Sequence, residues 1–183
     1  MTIPNILTLF RIFLTPLLIW LLLVHRFPES LLVFIVAGVT DGLDGLIARL
    51  FHQKSKLGAY LDPVADKLLL VSSFLLLGYL EYFPVWLVVI VVSRDVIIIL
   101  GIASLSFHHV PVEIKPSILS KLNTLFQLFM VFITLLKCSS LIIFPQWGSV
   151  ALAAIVSILC LITAGQYVAR GIRIWEVNRG SQE

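Results

Sequence analysis

Long apolar runs dominate this sequence, and their length suits helices that cross a lipid bilayer, each of which needs about 20 mostly apolar residues. The chain has 183 residues, of which 60% are hydrophobic and 13% are charged, and its mean hydropathy is +1.07. Soluble domains are about one-quarter charged. The sequence therefore predicts an all-α integral membrane protein, and the same composition excludes a disordered chain or a disulfide-stabilised scaffold.

Six apolar segments are separated by short breaks that carry proline or charge. We predict transmembrane helices over residues 6–24, 30–51, 62–80, 85–107, 117–136 and 147–174. Together they form one six-helix membrane domain over residues 1–183, with no room for a separate soluble domain. Cys138 and Cys160 lie in or near these segments, so we interpret them as small apolar residues without redox chemistry.

The distribution of lysine and arginine predicts the orientation of the helices. With six spans, the two termini, the second-to-third loop and the fourth-to-fifth loop share one side of the membrane. That side carries Arg49, Lys54, Lys56, Lys115, Arg170, Arg173 and Arg179, with Arg11, Lys67 and Lys121 close to it. The other side has Arg26 and Lys137, so both termini are expected in the cytoplasm.

The first apolar segment and the net charge indicate where the protein is located and which partners are excluded. The first apolar segment is not preceded by a basic region or followed by a small-residue cleavage site, so we expect no cleaved signal peptide. A bacterial inner membrane is the expected location. The net charge of +3 is scattered among apolar runs, which gives no basic face for nucleic acid.

Charged residues inside the apolar segments indicate a function, because a charge deep in a spanning helix costs about 2.5–3.5 kcal/mol on insertion scales. The second, third and fourth segments carry Asp41, Asp44, Asp62, Asp66, Lys67, Arg94 and Asp95. The alternative is charge pairing that serves packing alone, for instance between Arg94 and a neighbouring aspartate.

The spacing of four aspartates favours a metal site. Asp41 and Asp44 are three residues apart and Asp62 and Asp66 four apart, so each pair shares a helical face; Pro63 suits the first turn of the third helix. A short basic loop makes the two helices antiparallel neighbours, and the four carboxylates then converge at the cytoplasmic edge of the bilayer. Carboxylate oxygens suit Mg²⁺ or Mn²⁺, and two such ions would serve displacement at phosphorus.

The residues between these pairs are compatible with a nucleotide. Gly45 lets a ligand approach the backbone beside Asp44, and Ala48 one turn later keeps that face shallow. Donors for phosphate oxygens follow at Arg49, Lys54, Ser55 and Lys56. For the two lysines, the positive-inside bias explains their presence equally well.

The stretch from Asp41 to Asp66 resembles the signature of the CDP-alcohol phosphatidyltransferase family, D-x2-D-G-x2-A-R-x8-G-x3-D-x3-D, at every fixed position. These positions are Asp41, Asp44, Gly45, Ala48, Arg49, Gly58, Asp62 and Asp66, and residues 4–11 resemble the family's first helix. The resemblance implies the family's six-helix fold and a homodimeric membrane enzyme. Such an enzyme moves a phosphatidyl group from CDP-diacylglycerol to an alcohol and releases CMP.

The resemblance also implies roles for individual residues. Asp41, Asp44 and Asp62 would be ligands of two divalent ions, and Asp66 would be both a ligand and the general base that takes the acceptor's proton. Contacts with CDP-diacylglycerol would come from Thr8, Gly45, Ala48, Arg49 and Ser55.

The alcohol acceptor is expected to carry a phosphate, because Arg94 and Lys121 place two cations in the fourth and fifth segments. Ser120, Asn123 and Gln127 share a helical face that we expect to look into a polar cavity. Glycerol 3-phosphate and phosphatidylglycerol both qualify. Residues 3–67 resemble phosphatidylglycerophosphate synthases, whereas residues 93–96 and 116–124 look closer to CMP-forming cardiolipin synthases. The balance leans slightly to glycerol 3-phosphate.

A divalent-cation channel or transporter that uses the same aspartates is the alternative from another class of protein. A cation path does not require Gly45, Ala48 or Gly58, and Arg49 would repel the ion. The sequence therefore favours the enzyme.

Overall fold

The computed structural model describes residues 3–50, 56–107 and 117–180, with side chains described for residues 8–42, 65–101 and 117–171. Within these ranges the chain is helical and has no β-strand. The described helices are α1 (Ile3–Leu23), α2 (Phe27–Leu50), α3 (Lys56–Tyr79), α4 (Val85–Phe107), α5 (Ile118–Cys138) and α6 (Gln146–Gly180). The predicted all-α class is confirmed, and each helix overlaps one predicted segment.

Two helix boundaries differ from the prediction by six residues each, and the others by at most three. α3 begins at Lys56, so Pro63 lies inside the helix rather than in its first turn. A proline there removes one backbone donor, but the lysine, leucine and alanine that precede it favour the helix and carry it past that position. α6 continues to Gly180, beyond the predicted end at Ile174. Its 35 residues correspond to about 52 Å, which exceeds the hydrocarbon thickness of about 30 Å.

α1, α3 and α5 end in the same hydrogen-bonded cap. After α1, the N–H of Arg26 donates to the carbonyl of Leu21 (2.9 Å) and the N–H of His25 donates to that of Leu22 (3.0 Å). This pair of bonds is a Schellman motif, which needs one residue in the left-handed region. The three left-handed residues are His25 (φ 58°), Glu81 (φ 63°) and Ser140 (φ 57°). None of them is glycine, so each cap carries backbone strain.

Replacing Ser140 by glycine is expected to stabilise the protein. A non-glycine residue in the left-handed region costs about 1–2 kcal/mol, and glycine adds about 0.5–1 kcal/mol of unfolded-chain entropy. The thermal unfolding midpoint in detergent should therefore rise for Ser140→Gly and not for Ser140→Ala, which keeps the Cβ. Equal midpoints for the two variants would contradict a strained cap.

The first of two compact units contains the predicted metal motif and comprises Met1–Phe83 and Leu128–Pro145. In it α1 packs against both α2 and α3. Its buried apolar side chains include Leu18, Leu22, Ala37, Phe74 and Leu77. Phe27 also makes a T-shaped contact with Tyr82, with ring centroids 5.3 Å apart. These contacts hold α1, α2 and α3 in fixed register, which positions charged residues carried on different helices.

The second unit comprises Pro84–Gln127 and Gln146–Glu183. In it α4 packs against α6. Fully buried apolar side chains of this unit are Leu87, Val91 and Val156. The unit also buries several polar side chains, which form the second cluster described below.

Large apolar side chains cover the outside of the described helices. One example from each helix in turn is Phe13, Leu32, Leu75, Leu100, Leu125 and Leu161, all exposed. Exposed apolar surface of this extent suits contact with lipid. Among the described residues, two helical stretches, Ile118–Cys138 and Gln146–Gly171, are long and apolar enough to cross a membrane. The six-span topology stays a prediction.

Candidate active site

A buried arginine lies in the middle of the first unit. Arg11 of α1 has no exposed surface. The hydroxyl of Thr15 donates to the Arg11 carbonyl oxygen at 3.0 Å, and Thr8, one turn earlier on α1, is also fully buried. A guanidinium removed from water is stable when it is paired and hydrogen-bonded.

The partners of Arg11 are the first and last aspartates of the predicted metal motif. Its Nη1 atom contacts Oδ1 of Asp41 on α2 at 2.8 Å and also Oδ1 of Asp66 on α3. Because one guanidinium nitrogen bonds both carboxylates, these three residues, the Arg11 junction, link α1, α2 and α3. The structure thus brings together Asp41 and Asp66, which are 25 residues apart in sequence.

The two carboxylates of the Arg11 junction remain accessible. The side chain of Asp41 is 45% exposed and that of Asp66 is 47% exposed, whereas Arg11 is 0% exposed. The junction is therefore buried on the arginine side and open on the aspartate side. A ligand can approach the carboxylates from outside the helix packing.

The remaining residues of the predicted site lie on or between the same helices. Asp44, Gly45, Ala48 and Arg49 belong to α2 and Asp62 belongs to α3, but their side chains lie outside the described set. Ser55 lies outside the described residues altogether. Their roles stay predictions.

The donor atoms present fit the divalent ions that the family resemblance implies. Carboxylate oxygens are preferred ligands of Mg²⁺ and Mn²⁺, and the Arg11 junction shows that the position between Asp41 and Asp66 favours a cation. Among the described side chains, no three carboxylate, imidazole or thiol groups cluster, since two of the four motif aspartates lie outside that set. The described pair supplies half of the predicted ligands.

Arg11 is a site residue that the motif does not include, although the sequence carried a signal for it. The charge distribution places Arg11 among the basic residues near the cytoplasmic side, and the family resemblance includes it in the first helix without a role. It is the sole charged residue between positions 6 and 24, and the cost of a charge in a spanning helix applies to it as it does to the aspartates.

A second polar cluster surrounds Arg94 of α4, which is 5% exposed. Its Nη1 donates to Oδ1 of Asp95 (2.6 Å), its Nη2 to the Ser120 hydroxyl (2.7 Å) and its Nε to the Thr163 hydroxyl (3.4 Å). The pairing of Arg94 with a neighbouring aspartate, which the sequence left as an alternative, is therefore present. Lys121, the other predicted acceptor contact, follows Ser120 on α5 and is exposed.

The polar face of α5 was expected to look into a polar cavity, but it contacts α6. Asn123 and Gln127 are buried, at 0% and 1% exposure, and each donates a side-chain hydrogen bond to the sulfur of Cys160 on α6 at 3.3 Å. At these two positions the face of α5 contacts α6 and not an open cavity. Buried amides need partners, and the Cys160 thiol supplies one here.

Comparisons with known proteins agree with the motif. A family model described as CDP-alcohol phosphatidyltransferase matches residues 1–172. The chain is 40% identical over 146 residues to a CMP-forming cardiolipin synthase of Rattus norvegicus, a match that covers 71% of this chain and 48% of that protein. With a CMP-forming cardiolipin synthase of Streptomyces coelicolor it shares 39% identity over 117 residues, covering 61% and 54%.

A third relative carries a different name. A CDP-diacylglycerol–glycerol-3-phosphate 3-phosphatidyltransferase of Blochmanniella floridana is 34% identical over 133 residues, which covers 69% of each chain. The chain thus spans about half the length of the cardiolipin synthases it matches and about two-thirds of this shorter relative.

Proposed function

The chain belongs to the CDP-alcohol phosphatidyltransferase family, and from that membership we propose that it transfers a phosphatidyl group from CDP-diacylglycerol to a phosphate-bearing alcohol and releases CMP. The observation that carries the proposal is the Arg11 junction. It holds the first and last aspartates of the motif on neighbouring helices, with their carboxylates open to a ligand. From the motif alone, the proximity of Asp41 and Asp66 would be inferred only from their spacing in the sequence.

The aspartates of the motif would hold two divalent ions, Mg²⁺ or Mn²⁺. The set comprises Asp41, Asp44, Asp62 and Asp66. When bound, the ions would neutralise negative charge at the reacting phosphorus and on the departing CMP. The carboxylates of Asp41 and Asp66 contribute fixed positions, which α2 and α3 supply through their packing on α1.

Asp66 is the proposed general base. In the reaction, the acceptor oxygen forms a bond to the lipid-side phosphorus of CDP-diacylglycerol, and the bond from that phosphorus to CMP breaks. The proton of the acceptor hydroxyl passes to the Asp66 carboxylate. The 47% exposure of this side chain makes it reachable by a hydroxyl group.

The donor contacts proposed for the CDP moiety are Thr8, Gly45, Ala48, Arg49 and Ser55. Of these, Arg49 is the one with a charge, and its planar fork suits bidentate binding of phosphate. Thr8 is fully buried and lies one turn from Arg11, so a hydroxyl contact with the donor requires that the nucleotide enter between the helices.

For the acceptor we favour phosphatidylglycerol, which would make the product cardiolipin. The support is that the relatives at 39–40% identity are named cardiolipin synthases, together with the resemblance of residues 93–96 and 116–124. Glycerol 3-phosphate is the second candidate, since the Blochmanniella relative is matched over a larger share of its length. The sequence slightly favoured glycerol 3-phosphate as the acceptor, but the relatives do not support it better than phosphatidylglycerol.

The test supplies CDP-diacylglycerol to the purified protein with each acceptor separately and measures CMP release and the lipid product. Phosphatidylglycerol should yield CMP and cardiolipin, and glycerol 3-phosphate should yield little of either. The reverse preference would support the second candidate. Metal flux into vesicles without CMP release from either acceptor would support the channel alternative instead.

Arg94 and Lys121 are the proposed acceptor contacts, and substitution should raise the acceptor KM far more than the donor KM. Arg94→Ala would leave the buried Asp95 without its partner, so Arg94→Lys is the better variant. A lost charge-assisted contact is worth about 1.5–3 kcal/mol, which corresponds to an acceptor KM change of about 10- to 150-fold for Lys121→Ala; Arg94→Lys keeps the charge but loses the planar fork, so its change should be smaller. Steady-state kinetics of Arg94→Lys and Lys121→Ala test this.

The control for these variants is Lys137→Ala, which removes an exposed lysine from the other end of α5. It should leave both KM values unchanged. If Arg94→Lys and Lys121→Ala change the two KM values equally, or not at all, Arg94 serves packing and the acceptor phosphate binds elsewhere.

The arrangement in the membrane is also proposed. Six spans with both termini in the cytoplasm of a bacterial cell would place the motif on the cytoplasmic side, where a soluble product such as CMP is released. A homodimer is proposed from the family resemblance. Labelling from outside intact cells of a cysteine introduced at Arg26, in the turn after α1, checks the orientation.

A further inference from the structure

The position where a metal is expected already holds a cation. Nη1 of Arg11 bonds Oδ1 of both Asp41 and Asp66. A divalent ion placed against the same two oxygen atoms would displace the guanidinium or lie beside it. Since Arg11 is fully buried, the helix packing keeps its charge close to the carboxylates in either case.

We propose that Arg11 is a resident counter-cation of the divalent-ion site, which neutralises Asp41 and Asp66 in the metal-free protein and competes with divalent ions for them. This rests on the proposed function, in which the motif aspartates bind the ions. Arg11 thereby sets how much free metal the protein needs.

The charges at the site show why such a residue is useful. Four aspartates and Arg11 carry a net charge of −4 + 1 = −3 before metal binds, and two divalent ions change this to +1. Without Arg11 the metal-free site would carry −4, with two carboxylates facing each other at the junction of three helices. Like charges at such separation repel strongly where water is partly excluded.

Removing Arg11 has two opposing effects on metal binding. It removes a positive charge next to a doubly charged ion, which strengthens binding, and it releases the two carboxylates from a shared donor, which weakens it. The first effect is larger, because Coulomb energy scales with the product of the charges and because the packing of α2 and α3 on α1 still holds the aspartates near each other.

The test titrates Mn²⁺ alone into detergent-solubilised wild type and Arg11→Gln, with free Mn²⁺ followed by electron paramagnetic resonance. The dissociation constant of Arg11→Gln should fall by about 10-fold or more, the equivalent of one charge-assisted contact. Arg11→Lys, which keeps the charge, should bind close to wild type. Arg26→Gln is the matched control, since Arg26 forms an exposed pair with Glu29 beyond the other end of α1.

Thermal unfolding supplies a second readout. Metal-free Arg11→Gln should unfold at a lower temperature than metal-free wild type, and Mn²⁺ should raise its midpoint more than that of wild type. If this variant does not survive without metal, it is prepared in Mn²⁺ throughout, and the chelator concentration that strips the ion gives the affinity.

Equal or weaker Mn²⁺ binding by Arg11→Gln would overturn the counter-cation role and would indicate that Arg11 positions the ligands instead. Absence of Mn²⁺ binding by wild type would contradict the metal-dependent function itself. The two failures are distinguished because the second appears in the unmodified protein.

Discussion

Replacing Asp41 by asparagine is expected to abolish phosphatidyl transfer while the protein stays folded in detergent. The asparagine oxygen can still accept a hydrogen bond from Arg11, so the contact between α1 and α2 survives in a weaker form. The negative charge that would bind a divalent ion is lost, and losing a metal ligand can remove the whole site. CMP release from CDP-diacylglycerol measures the effect, and Asp62→Asn should behave in the same way.

Chelation of the wild-type protein should reproduce this loss, and Mg²⁺ or Mn²⁺ should restore activity. Glu29→Gln is a suitable control, because Glu29 is an acidic residue of the same helix that is paired with the exposed Arg26. It should retain full activity. Full activity of the wild type in excess chelator would show that the reaction needs no divalent ion.

Asp66→Asn should lose transfer to the alcohol while it keeps measurable binding of CDP-diacylglycerol. A general base contributes about 10²–10⁴-fold to rate. Asp66→Glu moves the carboxylate by about one methylene, and misplacement on that scale can cost about 10²-fold, so the glutamate variant should be slow but active. Equilibrium binding of the donor and single-turnover release of CMP separate the two steps.

Glu81→Gln is the control for these variants, since Glu81 is an exposed acidic residue just after the end of α3. Wild-type single-turnover rates for Asp66→Asn would exclude Asp66 as the base, and the role would pass to another group or to water. Loss of donor binding together with transfer would indicate that Asp66 acts chiefly as a ligand.

The helices were predictable because apolar length and proline-containing breaks define membrane segments without reference to tertiary contacts. The start of α3 was not predictable. Asp62 and Pro63 are typical of a first helical turn, and the helix-forming residues before them were given little weight. Periodicity within each helix likewise predicted which aspartates share a face. The proximity of Asp41 and Asp66 then followed from a short connection between helices, which the structure supports.

Contacts between helices that are distant in sequence could not be predicted. A spanning helix is apolar on most sides, so its sequence lacks the polar and apolar faces that show which neighbour a soluble helix packs against. Arg11 therefore gave no indication that it joins Asp41 and Asp66. For the same reason the polar face of α5 suggested an open cavity, whereas Asn123 and Gln127 are buried against Cys160.

The Arg11 junction has a consequence for how the chain is made. Arg11 is synthesised before both of its partners, since Asp41 follows 30 residues later and Asp66 follows 55 residues later; at about 5–20 residues per second, the delay until Asp66 exists is about 3–11 s. Until then Arg11 lacks one of the two carboxylates that hold its charge in the folded protein, and an unpaired charge in a spanning helix, which α1 is predicted to be, costs about 2.5–3.5 kcal/mol. The pairing of Arg11 on α1 is thus completed only when α3 has been synthesised.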